Sequence, residues 1–444
     1  MYVEQGGYQW LAQNTRLGKV SRQEWVSMLP VFMLGIQAHH AVLDLCASPG
    51  SKTTQAVDAL WDDWVRLQEQ KNKNHKKRKQ ATAEDYYDRT ITPPPGFVIA
   101  NEIDPPRSYI LANRCRQTLR ERHVSLAVVQ HNATKFPNAQ APLVRSDRIV
   151  ASLGAEKPTS WSSPESSNST SKGIYDRIIC DVPCSGDGTL RKDLKVWNTW
   201  HPTFGIQELH ALQLRIAKRG IALLKIGGIM TYSTCSFHAI ENEAVVAALL
   251  QTKCVELIPP TELERCSELF RNMRYRPGLT DWKVYDDEMR IVPREDAAQR
   301  GWPESLWPPK EAPLSLSQCV RMVPHDNDTG GFFIAALRKV RDFERRPSTK
   351  THPSCQIAGG RARLRAIMVT PQSTHHQLYP VAHLESTDKA SSSPTRHFRR
   401  GVSGGSTTNA NIFELANSLS AHLTQLPGSR KLNLVTAGFK KSTS

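Results

Sequence analysis

Between Ala41 and Leu257 the chain alternates short, nearly continuous apolar runs with segments of helical periodicity. "AVLDLCA" precedes "TTQAVDALWDDW", and "GFVIANEID" precedes "PPRSYILANRCRQTLRER". "SLAVVQHNA" and "YDRIICDVP" lead to "GIQELHALQLRIAKRGIALLK", while "GGIMTYSTCS" and "AIENEAVVAALL" continue the series. "GGFFIAAL" near residue 330 reads as a last strand. Strands that stay apolar through their length and are separated by helices indicate a sheet covered on both faces, which predicts a doubly wound, mostly parallel α/β sheet. In such sheets ligands bind beyond the carboxyl ends of the strands, near the switch point.

Three strand ends carry the marks of a nucleoside-containing cofactor. "LDLCASPGSKTTQ" reads as strand, tight turn through Pro49 and Gly50, then helix, so backbone amides at a helix N-terminus can approach a ligand. It matches neither G-x-x-x-x-G-K nor G-x-G-x-x-G. The second strand ends in "ANEID", which puts Glu102 or Asp104 where a carboxylate can hold ribose hydroxyls. At the third, Asn132 can hydrogen-bond an adenine edge. Each mark is weak alone, because glycine turns and strand-end acids are common; together they favour a dinucleotide or S-adenosylmethionine over a sheet with no cofactor.

Two thiols occupy matched places. Cys184 follows Asp-Val-Pro at one strand end and Cys235 follows Ser-Thr at another. If those strands are neighbours, their ends lie about 4.8 Å apart and both thiols can face one substrate. Carbon 5 of cytosine is a poor nucleophile until a thiolate adds to carbon 6, and the adduct must later expel that thiol, so a second group helps release. Asp181 would stand between the two as a contact to the base. These residues do not rank the thiols. A lone strand-end cysteine is more often a small buried hydrophobe, the reading kept for Cys180 and Cys254. Lys52, otherwise a solvated first-turn lysine, can lower a thiol pKa or hold the base.

Composition narrows the class. No apolar run reaches the roughly 18 to 20 residues of a membrane span, and the start lacks the pattern of a secretory signal, which together point to a soluble intracellular protein with no membrane partner. The nine cysteines form no C-x-x-C pair, which argues against a disulfide framework and a structural zinc site; no metal is expected. A net charge of +16 attracts polyanions and points to nucleic acid. From Arg341 onward there are fifteen Lys+Arg against five Asp+Glu, so this Ser/Thr/Gly-rich tail carries +10 of that charge. It is expected to be disordered, with one helix at "NIFELANSLSAHL". A second basic cluster, "KNKNHKKRK", spans Lys71 to Lys79.

Taken together, "LDLCASPGSKTTQ", "ANEIDPPR", "YDRIICDVPCSGDGTLRKD", "LHALQLRIAKRG" and "YSTCSFHAIENEAVV" resemble the RNA cytosine-5 methyltransferases of the Nop/Sun family. "VSRQEWVSMLP", "RMVPHDNDTGGFFIAAL" and the Gly-Ser-Lys form of the first motif resemble the eukaryotic tRNA branch more than the ribosomal one. The likeness runs from about Asn14 to Val340, with the motifs in order. It implies a Rossmann-like fold and S-adenosylmethionine held by Cys46, Ala47, Ser48, Pro49, Gly50, Ser51, Lys52, Glu102, Asn132 and Asp181. It also implies Cys235 as nucleophile and Cys184 in release, with Asp181 and Lys52 beside them, acting on cytosine in RNA, with tRNA the expected partner. Proline-cysteine alone would have pointed to Cys184.

The chain departs from that family in places. Asn132 stands where the family usually has Asp, and the chain starts close to the catalytic domain. The expected organisation is a catalytic domain over 1–340, with polar insertions at about 66–95 and 144–172, followed by the basic tail 341–444. Residence in the nucleus, the nucleolus included, is expected, with the cytoplasm as the alternative. Two other readings stay open: the same chemistry on ribosomal or messenger RNA, and a catalytically lapsed RNA-binding protein.

Overall fold

A computed structural model describes residues 5–16, 20, 22–76, 93–118, 124–138, 173–262, 273–310, 315–343 and 365–369. The insertion 144–172, the end of the Lys71–Lys79 cluster and the helix expected at "NIFELANSLSAHL" lie outside these residues.

Five parallel strands form the centre in the order β3 (Ser125–Gln130), β2 (Phe97–Asn101), β1 (Ala41–Asp44), β4 (Tyr175–Asp181), β5 (Leu224–Thr234). Chain order reverses between β1 and β4, which is where a doubly wound sheet opens its crevice. Antiparallel strands extend both edges. β9 (Phe332–Lys339) pairs with β5 and carries β8 (Val320–Met322), β7 (Arg276–Pro277) and β6 (Val255–Leu257) with it. On the far edge β10 (Arg365–Val369), a strand the sequence reading did not place, pairs with β3.

Alternating residues of one strand explain the unbroken apolar runs. Val42 and Ile179 face a core built with α2 (Trp25–Met33), α3 (Ser51–Lys76) and α4 (Pro105–Thr118), through Val31, Leu60 and Leu111. Leu43, Ile178 and Cys180 face the opposite core, built with α5 (His210–Leu223) and α6 (Glu243–Leu250), through Ile216, Ile221 and Val245. Every residue of β1 is buried, as burial on both faces demands. Helix α3 continues through Lys76, so the first third or so of the insertion expected over 66–95 is an extension of that helix. Polar Gln, Glu, Lys and Asn are good enough helix formers to prolong it past the end of its apolar stripe.

Candidate active site

At the end of β1 the chain turns through Leu45–Gly50 into α3. Ala47 N donates to Asn101 O at 2.8 Å. Asn101 Nδ2 donates to Leu45 O and His131 O at 2.9 and 3.0 Å, so one amide ties together the ends of β1, β2 and β3. Gly50 has φ +104°, and a Cβ there would stand 2.8 Å from Leu111 Cδ1. Glycine is thus required both by the turn and by the approach of α4. Cys46 through Lys52 form one turn and helix start, whose first-turn N–H groups face the crevice end of the sheet. Burial pushes the Cys46 thiol well up, so it stays neutral.

Glu102 is buried at the end of β2, where one carboxylate oxygen accepts from Asp104 N at 3.0 Å and the other lies 3.7 Å from the Arg107 guanidinium. Arg107 also donates to Ser48 O at 3.2 Å, linking this acid to the turn after β1. Asn132, at the end of β3, caps the turn Ala133–Lys135: its Oδ1 accepts from Thr134 N and Thr134 Oγ1 at 2.9 and 2.8 Å. The oxygen expected to accept from an adenine is therefore engaged, and Nδ2 is the group left to face a ligand.

β4 and β5 are neighbours, with Asp181 opposite Ser233. Pro183 and Gln213 join the loop after β4 to α5 through a 2.9 Å hydrogen bond. Just past these strand ends the sulfurs of Cys184 and Cys235 lie 3.3 Å apart. Hydrogen bonding between them, then burial, holds the Cys184 thiol well above its ordinary range. Asp181 does not stand between the sulfurs. Its Oδ2 is 2.7 Å from Lys52 Nζ and its Oδ1 accepts from Ser233 Oγ at 2.6 Å. Lys52 also reaches Ser27 Oγ at 3.3 Å and lies 5.2 Å above the Phe332 ring, so it serves Asp181 directly.

Glu241, fully buried, binds the two thiol loops to each other. Its Oε2 accepts from Ser185 N (2.9 Å) and Gln213 Nε2 (3.0 Å), and its Oε1 accepts from Ser236 Oγ (2.9 Å). Ser185 and Ser236, each next to a cysteine, are joined through their hydroxyls at 3.0 Å. Gly188 closes the same seam. Its N donates to Cys235 O and its O accepts from Gly331 N, both at 2.8 Å. A Cβ at Gly188 would stand 2.7 Å from both Cys235 O and Gly331 O.

A cavity of about 450 Å³ opens here, lined by Ser27, Lys52, Asp181, Lys192, Cys235 and Phe332 among others. That volume suits a small organic ligand or a nucleobase. Cys235 is part of its wall, whereas Cys184 stands beside Cys235 outside the lining. Lys52 and Asp181 join this cavity to the turn after β1, and the remaining cofactor candidates lie along the ends of β1, β2 and β3.

Several residues of the site carry no local sequence signal. Asp44 is buried and accepts from Thr53 Oγ1 at 2.7 Å; burial raises its carboxyl to about 7. Asp187 accepts from Phe237 N at 2.6 Å and is raised by burial to about 6. Glu243 forms a buried double contact with Arg321, which also donates to Phe237 O at 2.9 Å. Glu241 and Glu243 both stand in "IENE", within the stretch "YSTCSFHAIENEAVV" that carries the family resemblance, but nothing local in it marks either acid as part of the site.

Known proteins match this arrangement in sequence. A family model described as 16S rRNA methyltransferase RsmB/F matches residues 91–338, more than half of the chain. The multisite-specific tRNA:(cytosine-C(5))-methyltransferase of Saccharomyces cerevisiae is 36% identical over 335 residues, covering 75% of this chain and 40% of that one. The trm4b enzyme of the same description from Schizosaccharomyces pombe is 36% identical over 340 residues, covering 74% and 44%. The tRNA (cytosine(34)-C(5))-methyltransferase of Drosophila melanogaster is 35% identical over 350 residues, covering 76% and 39%. The chain spans about two fifths of the length of these relatives. The matched region contains β2 through most of β9, and with them both thiols, Asp181 and the Glu241 seam. By that match the chain belongs to the 16S rRNA methyltransferase RsmB/F family.

Proposed function

We propose that this protein methylates carbon 5 of cytosine in RNA, with tRNA as the substrate, using S-adenosylmethionine and a covalent adduct to Cys235. The observation that carries the reading is the pair of sulfurs 3.3 Å apart at adjacent strand ends, one of them in the wall of a cavity of nucleobase size. tRNA is favoured over ribosomal RNA because the relatives at 35–36% identity are named for tRNA.

The donor set at the strand ends suits the cofactor. Glu102 offers a carboxylate to vicinal hydroxyls, Asn132 an amide to a base edge, and the start of α3 its N–H groups to a carboxylate. Asp44 Oδ1 and Asn101 Oδ1, both buried, have no hydrogen-bond partner among the described residues, so the lining keeps polar capacity in reserve. When bound, S-adenosylmethionine supplies an electrophilic methyl group.

The chain's own residues do the rest. Cys184, held protonated, can donate its S–H to the sulfur of a Cys235 thiolate 3.3 Å away. That thiolate adds to carbon 6, and the ring's electron pair becomes available at carbon 5. Asp181, fixed by Lys52 and Ser233, is placed to hold the base by hydrogen bonding as charge shifts in the ring. After carbon 5 is methylated, its proton passes to a base such as water, the freed electron pair restores the 5,6 double bond, and the carbon 6–sulfur bond electrons return to Cys235, with Cys184 assisting this release. Reaching carbon 6 requires the base to leave its stack and enter the cavity. Residence in the nucleus is part of the same proposal and is supported by the basic segments.

Transfer of labelled methyl groups from the cofactor to total tRNA and to ribosomal RNA tests this reading, with base-resolution mapping of the product. Label in tRNA cytosine is the expected result. Label confined to ribosomal RNA would move the substrate, and binding of RNA without any transfer would leave a lapsed enzyme.

A further inference from the structure

Beyond the cavity wall the connection from β4 to α5 presents unusual surface. Gly188, Thr189, Arg191 and Lys192 line the cavity, and the chain then forms a one-turn helix, Lys195–Thr199, with no buried residue. Leu194 and Trp197 are 77% and 75% exposed, and Trp200 is 37% exposed. Isolated apolar side chains at a surface need no explanation, but three in seven residues beside a cavity mark a contact site.

Two features say what the contact is. Trp200 packs edge-on against the His238 ring, with centroids 6.1 Å apart, and His238 follows Cys235 by three residues. The aromatic surface is therefore anchored to the loop that carries the cavity thiol. Of the cations beside it, Arg191 and Lys192 are ion-paired with Asp328 and Glu24, and Lys195 stands next to Asp193 in the chain. A base drawn into the cavity leaves its neighbour in the strand without a stacking partner. Proteins that hold single-stranded nucleic acid replace that partner with an aromatic face and track the backbone with cations.

From this juxtaposition we infer that Trp197 is a stacking platform for the nucleotide next to the target cytosine, so the substrate is held single-stranded on at least one side of that base. The inference rests on the RNA reading given above. A protein partner would also cover an apolar patch, but this one is aromatic and follows directly in the chain on residues that line a base-sized cavity, which fits an unstacked nucleotide better.

The test uses the full chain and a short single-stranded oligoribonucleotide with one cytosine and a fluorescent purine analogue on one side of it or the other. Stacking on Trp197 quenches the analogue at one flank. Trp197→Ala and Trp197→Leu are expected to remove that quenching and weaken binding about 5- to 100-fold, whereas Trp197→Phe keeps most of both. Because Trp197 is largely exposed, all three variants should melt with the wild type. Unchanged affinity in Trp197→Ala overturns the platform. So does Trp197→Leu behaving like Trp197→Phe, since that reports apolar area of the kind a protein partner uses; so does failure of the wild type to bind the oligoribonucleotide at low salt. Binding is read without the cofactor, which separates the two proposals. Flank-specific quenching with no methyl transfer keeps the platform and sinks the activity; methyl transfer with an unaltered KM in Trp197→Ala does the reverse.

Discussion

Lys52 Nζ sits 2.7 Å from Asp181 Oδ2, with the lysine side chain only 11% exposed and the aspartate 28%. Removing either partner strands the other charge in a poorly solvated place. Asp181→Asn and Lys52→Met should each cost about 1–3 kcal/mol in urea denaturation, less than a fully buried pair because Asp181 still meets solvent. The double variant should lose clearly less than the sum, since the two groups are in contact. Additive losses would mean the pair is not coupled. Methyl transfer should collapse in both single variants.

The two thiols predict different failures. Cys235→Ala should abolish methylation and any protein–RNA adduct, because no addition to carbon 6 occurs. Cys184→Ala should still add and methylate once and then stall, leaving a protein–RNA complex that survives denaturing electrophoresis. The double variant should show no adduct. The opposite pattern, adduct in Cys235→Ala and none in Cys184→Ala, would reverse the roles.

Asn132 caps its turn with the oxygen and has only a donor left over. An aspartate in its place can cap with one oxygen and offer the second to the cofactor's exocyclic amine as a charge-assisted acceptor. Asn132→Asp should therefore tighten cofactor binding by roughly 1 kcal/mol, several-fold in dissociation constant by calorimetry. Equal or weaker binding would show that the amide donor is what the site uses.

Asp44 gives a pH dependence with a definite sign. Burial raises its carboxyl to about 7, so between its unfolded value and neutrality the folded protein holds a proton that the unfolded chain has released. The contribution of Asp44 to stability thus falls as pH rises from about 4 to 7, by up to about 4 kcal/mol, and stays low above that. Asp44→Asn keeps an acceptor for Thr53 and removes the titration. Denaturation curves at acid and slightly alkaline pH should show the variant gaining on the wild type as pH rises; a parallel pH dependence in both would contradict the assignment.

The parallel centre of the fold was legible because residues such as Val42 and Leu43 are buried on opposite faces of the same strand, which leaves no polar alternation to blur the pattern. The thiol pair was legible for a related reason: β4 and β5 each end in a cysteine shortly after an apolar run. Glu241 was not, because its partners Ser185, Gln213 and Ser236 come from three segments and no local spacing records that meeting. Nor was the true reach of α3, since apolar periodicity stops before the helix does. Arg365–Val369 was missed because five residues inside a basic tail give a strand too little pattern to stand out.

At Gly188 the main chain touches Cys235 on one side and Gly331 on the other. The loop after β4, the loop after β5 and the entry to β9 are laced edge to edge there, so they form a single plank across the floor of the crevice. No widening of the crevice can pull the sulfurs apart without unpicking that lacing. Glu24, just before α2, is tied into the same lacing through Gly330 N at 3.1 Å, and the paired thiols stand as a fixed anvil at its edge.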